Sequence, residues 1–367
     1  MYDLAPNGLL DLFCILAAFA VGCYNYWCMR KGKNGTGYIF FVVFILLFSL
    51  FYRPVNGDFW GYYKLHLRGA HYLNKHMEPF YYWVMAIVPD NYLLWRVCVW
   101  LPAAIIIAVF LKLLRIPPSI ATTFFLMFAL TRSYYYVRNV LGLSILYLGL
   151  TLFALRVRFV RKTVNIILCV GLIFASWYFH RSMPMYILVG LTAIFLPFDR
   201  KHVIVALIAF PFLYSATYIV ASKFLGIDEI WIAEGTGVNY LEGINEVVRN
   251  WKGMVTLIVD YVPVVYFYIV AFGKALPRNN PDYDAYKVFL LFSFIVFYVS
   301  FLFVGQGSAA LHIRIYTSSM LPFSVVVSLF FKNYFMSKEC RFLIYLVLFS
   351  YSWHLFLIVA KNAMALY

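Results

Sequence analysis

Apolar residues along this chain gather into about twelve blocks, each close to the length that spans a bilayer, separated by short polar stretches. Representative runs occupy 9–28, 38–52, 164–179, 255–272 and 342–360, with almost no charge inside them. About 20 residues at ~1.5 Å rise cross a ~30 Å hydrocarbon layer. A helix satisfies its own backbone polar groups there, which an open strand cannot do. The pattern therefore predicts an all-α, polytopic integral membrane protein formed as a single transmembrane domain. Helices are expected over 8–28, 38–52, 92–114, 119–131, 138–156, 163–179, 183–198, 202–222, 253–272, 286–304, 314–331 and 341–360.

Two polar segments are longer than a simple connection needs. Residues 53–90 carry Asn56-Gly57-Asp58, several tyrosines, and then Glu78-Pro79 before the apolar run 80–88. That run is too short to span and reads as a re-entrant or interfacial helix. Residues 223–252 carry Asp228, Glu229, Glu234, Glu242 and Glu246, and are long enough to fold over one face as a lid or to serve as a solvated connector.

Charge then gives the two faces different characters. The formal net charge of +15 would point to nucleic acid in a soluble chain, but the positive-inside rule accounts for it here without any nucleic-acid partner. With the N-terminus outside, the inner connections are 29–37, 112–118, 156–162, 199–202, 273–287 and 332–341. These hold more than half of the 30 lysines and arginines, and their acids are Asp199, Asp282, Asp284 and Glu339. N-out/C-out is the orientation predicted. The first apolar run is too long for a signal-peptide core and is followed, not preceded, by its basic cluster, so it reads as a span. The cysteines (Cys14, Cys23, Cys28, Cys98, Cys169, Cys340) fall in helices or at inner ends, which predicts no disulfide framework outside. No metal-ligand spacing is present, and neither a metal nor another cofactor is expected.

Several arginines stand where the helix dipole disfavours them. A helix running from outside to inside presents its N–H groups and partial positive charge outward, which favours acids there by roughly 0.3–1 kcal/mol. Yet Arg138, Arg181 and Arg314 are expected to head three such helices, and Arg132 precedes Arg138 across a tight turn. Guanidinium forks beside free N–H groups make a site for phosphate. Each arginine alone could equally snorkel to lipid headgroups, but the recurrence at short hairpins favours a diphosphate site. Arg53 joins the set more weakly, because a base at a helix C-terminus suits the dipole.

Candidates for proton transfer lie on the same side: Asp58, Glu78 and His180, with His312 a weaker fourth. Asp58 could close an Asx-turn and Glu78 could cap a short helix. An unperturbed imidazole suits a general base at neutral pH, and the positive charge of Arg181 is expected to favour the neutral, proton-accepting form of His180. Trp60, Tyr62 and Tyr63 could stack on sugar rings.

The motifs resemble the EpsG-like branch of Wzy-type polysaccharide polymerases. They are Arg53 with Gly57-Asp58-Phe59-Trp60-Gly61-Tyr62-Tyr63, Glu78-Pro79-Phe80-Tyr81-Tyr82, Val137-Arg138-Asn139-Val140, Phe179-His180-Arg181-Ser182 and His312-Ile313-Arg314-Ile315-Tyr316. Asn139 stands where the family usually has glutamine, and Trp60 where a smaller residue is common. The resemblance implies joining of undecaprenyl-diphosphate-linked oligosaccharide repeats at the outer face of a bacterial inner membrane. The products would be O-antigen, capsule or exopolysaccharide, and a chain-length regulator would be the protein partner. It implies catalysis by His180, Asp58 or Glu78, diphosphate binding by the arginines, and sugar contacts that include Asn139 and Tyr316. A polyprenyl-phosphate-dependent single-sugar glycosyltransferase is the alternative reading. A flippase for lipid-linked sugars ranks third, because the charges sit at the rim rather than mid-membrane and no halves repeat.

Overall fold

The computed structural model describes residues 8–52, 63, 79–88, 91–130, 137–155, 162–180, 182–199, 209, 232–233, 238–239, 251–305, 309–335 and 337–364. Twelve helices are seen among them. They are α1 (Gly8–Arg30), α2 (Tyr38–Phe51), α3 (Pro79–Ile87), α4 (Tyr92–Leu113), α5 (Pro118–Phe124), α6 (Val137–Ala154), α7 (Lys162–Phe179), α8 (Met183–Phe195), α9 (Trp251–Gly273), α10 (Tyr283–Gly305), α11 (Ala309–Tyr334) and α12 (Lys338–Met364). Every helix expected from the apolar runs has an observed counterpart except 202–222, which lies outside the described residues but for position 209. The short run at 80–88 is indeed helical. Four helical segments are long and apolar enough to cross a membrane: Leu9–Arg30, Tyr92–Leu113, Tyr283–Ser300 and Ile315–Tyr334. Others are shorter; the 14 residues of α2 reach only about 21 Å.

The expected 119–131 helix divides in two. Pro118 opens α5, and from Phe125 to Leu130 the chain continues as a π-helical turn, every residue of it buried. Within 223–252, Ile232–Ala233 and Val238–Asn239 pair as a minimal antiparallel ribbon.

Burial fixes the layout. Of the most apolar stretch within Ile315–Tyr334 of α11, 94% is buried, so this helix is the central post. Around it pack α10, α6, α5 and the π turn, with α8 against α10 and α6. By contrast, α2, α7, α9 and α12 expose large apolar side chains, among them Ile39, Ile167, Ile269 and Tyr345. Aliphatic and aromatic faces turned outward this consistently need a hydrocarbon solvent. Small residues bring the inner helices together. A Cβ at Gly149 would lie 3.2 Å from the Cys169 carbonyl and 2.9 Å from Ile173 Cγ1. At that point α6 and α7 touch nearly backbone to backbone.

Several serines inside the bundle are satisfied by their own helix. Ser319, Ser324 and Ser328 of α11 each donate to a carbonyl three or four residues back. Pro322 has no N–H and so leaves the carbonyl of Ser318 without its helical partner. The buried hydroxyl of Tyr147 on α6 donates to that carbonyl at 3.4 Å.

Among the described residues, the basic connections 29–37, 112–118, 273–287 and 332–341 collect at one end of the bundle. Tyr38 Oη donates to the Ile116 carbonyl (2.5 Å), and Asn25 Oδ1 accepts from Thr36 N–H (2.8 Å). Lys332 pairs with Asp282 (2.8 Å), Lys274 with Glu339, and Lys287 donates to the Ile194 carbonyl (3.1 Å). Two of these helix ends close in the same way. After α1, Lys33 N–H returns to the Cys28 carbonyl and Gly32 adopts φ 63°. After α4, Ile116 N–H returns to the Leu111 carbonyl with Arg115 at φ 52°. Glycine suits that left-handed position, and Arg115 occupies it despite its Cβ.

Candidate functional site at the end opposite the basic connections

At the other end of the bundle, three of the segments with sequence-predicted functional residues are joined by a chain of hydrogen bonds. It starts in the α7–α8 hairpin. The α7 helix stops at Phe179, and Ser182 precedes α8, whose second residue is Pro184. His180 reaches forward over this turn. Its Nδ1 accepts from the Ser182 backbone N–H at 3.1 Å and lies 2.7 Å from Ser182 Oγ. The imidazole thus serves one of the N–H groups that every helix start leaves without an intrahelical partner. Ser182 Oγ also contacts Asn139 Oδ1 on α6 at 3.3 Å, and Asn139 Nδ2 donates to Ser318 Oγ on α11 at 3.4 Å.

Asn139 and Ser318 are buried, whereas His180 and Ser182 are half-buried, so the chain runs from the rim into the protein. Close packing sets its span: a Cβ at Gly142, one turn below Asn139, would meet the sulfur of Met183 at 3.1 Å. That proximity of α6 and α8 brings Ser182 within reach of Asn139.

These contacts matter because of what neighbours them in sequence. Asn139 follows Arg138, Ser182 follows Arg181, and Ser318 lies one turn after Arg314. The three segments that carry the expected diphosphate-binding arginines therefore meet at one place. Arg138 lies in the first turn of α6, as expected. Because α11 already begins at Ala309, Arg314 falls in its second turn rather than at its head. Arg181, Arg132 and Arg53 lie outside the described residues, as do Asp58, Glu78, Trp60 and Tyr62.

Helix α3 approaches the same place. Phe80 on α3, two residues after Glu78, packs on Phe179 with ring centroids 5.0 Å apart. Tyr81 is buried, and its carbonyl accepts from Trp95 Nε1 (3.2 Å) on α4. Tyr63 sets its ring against Tyr92 (5.6 Å). Tyr316 is buried, its ring edge-on to Tyr261 (5.1 Å) and its hydroxyl donating to the Asp260 carbonyl (3.3 Å). Asn139 and Tyr316, expected to contact sugar, both have polar atoms engaged with neighbouring helices.

Sequence reasoning overlooked several groups here. Arg96, only 1% exposed, donates from Nη1 to the Tyr52 carbonyl at 3.3 Å, one residue before Arg53. Asp260 lies within the apolar run 255–272 and accepts from Ser350 Oγ at 3.3 Å. A charge inside an apolar run was the available signal for both. Ser182 and Ser318 carried none beyond the position of Ser182 beside Arg181.

Among the described residues no three of His, Cys, Asp or Glu come together as metal ligands would. The cysteines are free thiols. No family model matches this chain, and neither a curated protein nor a solved structure does.

Proposed function

We propose that this protein is a Wzy-type polysaccharide polymerase of the bacterial inner membrane. Its substrates are undecaprenyl-diphosphate-linked oligosaccharide repeats, which it joins at the outer face. The observation that carries this reading is the hydrogen-bonded chain His180–Ser182–Asn139–Ser318, which gathers the segments bearing Arg181, Arg138 and Arg314. Arginines on segments that meet in this way, at the start of α6, beside the start of α8 and in the second turn of α11, repel one another unless an anion lies between them. A lipid diphosphate is such an anion, and it reaches the site laterally from the bilayer.

The chain crosses twelve times, with both termini outside, and α3 stays at the outer face. Short α2 counts as a crossing because it begins beside Ile116 at the basic end and finishes at Tyr52, held by Arg96 at the other. The connections at the basic end face the cytoplasm.

In the reaction, the bond between the anomeric carbon of the growing chain and its diphosphate oxygen breaks, and the electron pair leaves with the diphosphate. A hydroxyl of the incoming lipid-linked repeat bonds to that carbon and gives its proton to a base. Arg138, Arg181, Arg314, Arg132 and Arg53 neutralise the leaving diphosphate. Asp58, Glu78 and His180 are the groups suited to handling the proton, and Trp60, Tyr62 and Tyr63 stack on the sugars. A chain-length regulator is the protein partner.

Purified protein given lipid-linked repeats in EDTA should form a ladder of multi-repeat products. A protein that is inactive in EDTA but active with Mg²⁺ or Mn²⁺, and transfers single sugars instead, would overturn the reading.

A further inference from the structure

Charge is unevenly distributed over the basic end of the bundle. Asp282 pairs with Lys332 and accepts from Asn333 (3.1 Å), and Glu339 pairs with Lys274 of α9. The connections 29–37 and 112–118, in contrast, contain no acid. They touch each other, since a Cβ at Gly35 would lie 2.8 Å from Ser119 Cβ. Arg30, Lys31, Lys33 and Arg115 are exposed there.

Helix α12 adds a further base to this corner. It packs along α1, where Tyr351 Oη donates to the Ile15 carbonyl (3.0 Å) and the Tyr351 ring stacks on Phe19 (5.0 Å). Ile15, Phe19, Tyr26 and Arg30 follow one another at helical spacing, so one face of α1 runs beside α12 down to the basic end. There the Tyr26 hydroxyl has Arg30 of its own helix and Arg341 and Tyr345 of α12 within electrostatic range. Both arginines are exposed, and among the described residues neither has a carboxylate partner. Arg30 suits the last turn of α1, but Arg341 stands in the first turn of α12, where the helix dipole disfavours a base. Glu339 shares that turn and is taken by Lys274.

Two guanidinium groups converging on one seam repel unless an anion joins them. Its source follows from the level of the seam. Trp27 is exposed on α1 one turn before Lys31, with Tyr24 stacked on it (6.3 Å) and the Lys33 ammonium over its ring (5.1 Å). An indole between a basic end and an apolar helix surface marks the headgroup layer of a bilayer. Phe349, one turn beyond Tyr345 on the exposed face of α12, offers an acyl chain apolar contact below that layer. We propose that the seam between α1 and α12 binds the phosphodiester of an anionic phospholipid, held by Arg30 and Arg341 with the Tyr26 and Tyr345 hydroxyls beside it. Such a site needs only the membrane embedding, whatever reaction the opposite end performs.

Protein purified in a neutral detergent can be titrated with dioleoyl phosphatidylglycerol or dioleoyl phosphatidylcholine, and the bound lipids counted by native mass spectrometry. Wild type should retain phosphatidylglycerol preferentially. Arg30→Gln and Arg341→Gln should each weaken that binding about fivefold, as expected for loss of one base at an anionic headgroup. Arg278→Gln, in the exposed α9–α10 connection, should stay within about twofold of wild type, because it removes an equal charge away from the seam. Equal retention of the two lipids by wild type, or an equal loss in Arg278→Gln, would overturn the proposal in favour of diffuse attraction. If the seam variants fail to fold, wild type alone decides. In phosphatidylcholine vesicles doped with phosphatidylglycerol that carries a photoreactive headgroup, label should fall on peptides holding Tyr26 or Tyr345. Label confined to other helices would overturn the proposal as well.

Discussion

Tyr147 on α6 donates to the carbonyl of Ser318 on α11, the one carbonyl that Pro322 deprives of its helical partner. The bond is buried, between rings of Phe110, Phe289 and Phe292, and it lies on the residue whose hydroxyl ends the His180 chain. A helix break in the central post is thus stitched to the helix that carries Arg138.

Removing that hydroxyl takes a donor away from a buried carbonyl. Tyr147→Phe is expected to destabilise the protein by about 1–3 kcal/mol, read as a lower thermal midpoint in detergent. In a Pro322→Ala background the same change should cost distinctly less, because an alanine at that position returns an N–H to the Ser318 carbonyl. Equal costs in the two backgrounds would mean that the tyrosine acts through packing alone.

Arg138→Ala and Arg314→Ala should abolish polymer while leaving protein level and the single-repeat product intact. Arg→Lys at either position should rescue poorly, because a point charge does not reproduce a two-pronged fork. Gel analysis of extracted glycans measures both. Full activity in the two alanine variants would reduce these residues to lipid-headgroup contacts.

Orientation can be read directly. In a cysteine-free background, single cysteines at Asn56, Gly235 and Gly307 should react with an impermeant maleimide in intact cells, and those at Asn34 or Asn279 should not. The reverse labelling would put every proposed functional group on the cytoplasmic side.

At the basic end, the Lys274 ammonium holds the Glu339 carboxyl below its usual range, through a hydrogen bond above all. A carboxyl whose folded value is depressed adds stability above its unfolded value, near ~4.3, and loses it as the pH falls through the lower folded value. The pair is largely open to solvent, so the effect is small. The difference in thermal midpoint between wild type and Glu339→Gln should therefore be present at neutral pH and disappear in acid.

Most of the helical layout could be read from the chain because a bilayer demands long apolar runs, and such runs leave little room for another element. The division of the 119–131 run was not legible: Phe125–Leu130 is as apolar as the residues before it, and a π turn depends on which neighbours it must meet, here α11 and α1. For the candidate site, the sequence singled out arginines expected to oppose the helix dipole, of which the structure keeps Arg138 in the first turn of α6 and puts Arg314 in the second turn of α11. The hydroxyls that tie their segments together could not be picked out. Ser182 and Ser318 are small and lie in or beside apolar stretches where serine commonly bonds to its own helix, so only the packing reveals that they reach across to Asn139.

The burial of α11 has a consequence for how the protein meets membranes of different thickness. Mismatch between a helix and its bilayer is relieved by tilt or by local thinning, and only helices that touch lipid are subject to it. Here those include α1, α2, α4, α7, α9 and α12, with apolar side chains turned outward, while the segment of α11 that follows Arg314 is enclosed by protein. A thinner or thicker bilayer therefore tilts the outer shell around a post that keeps its length and depth, and the Asn139–Ser318 contact travels with the post rather than with the lipid.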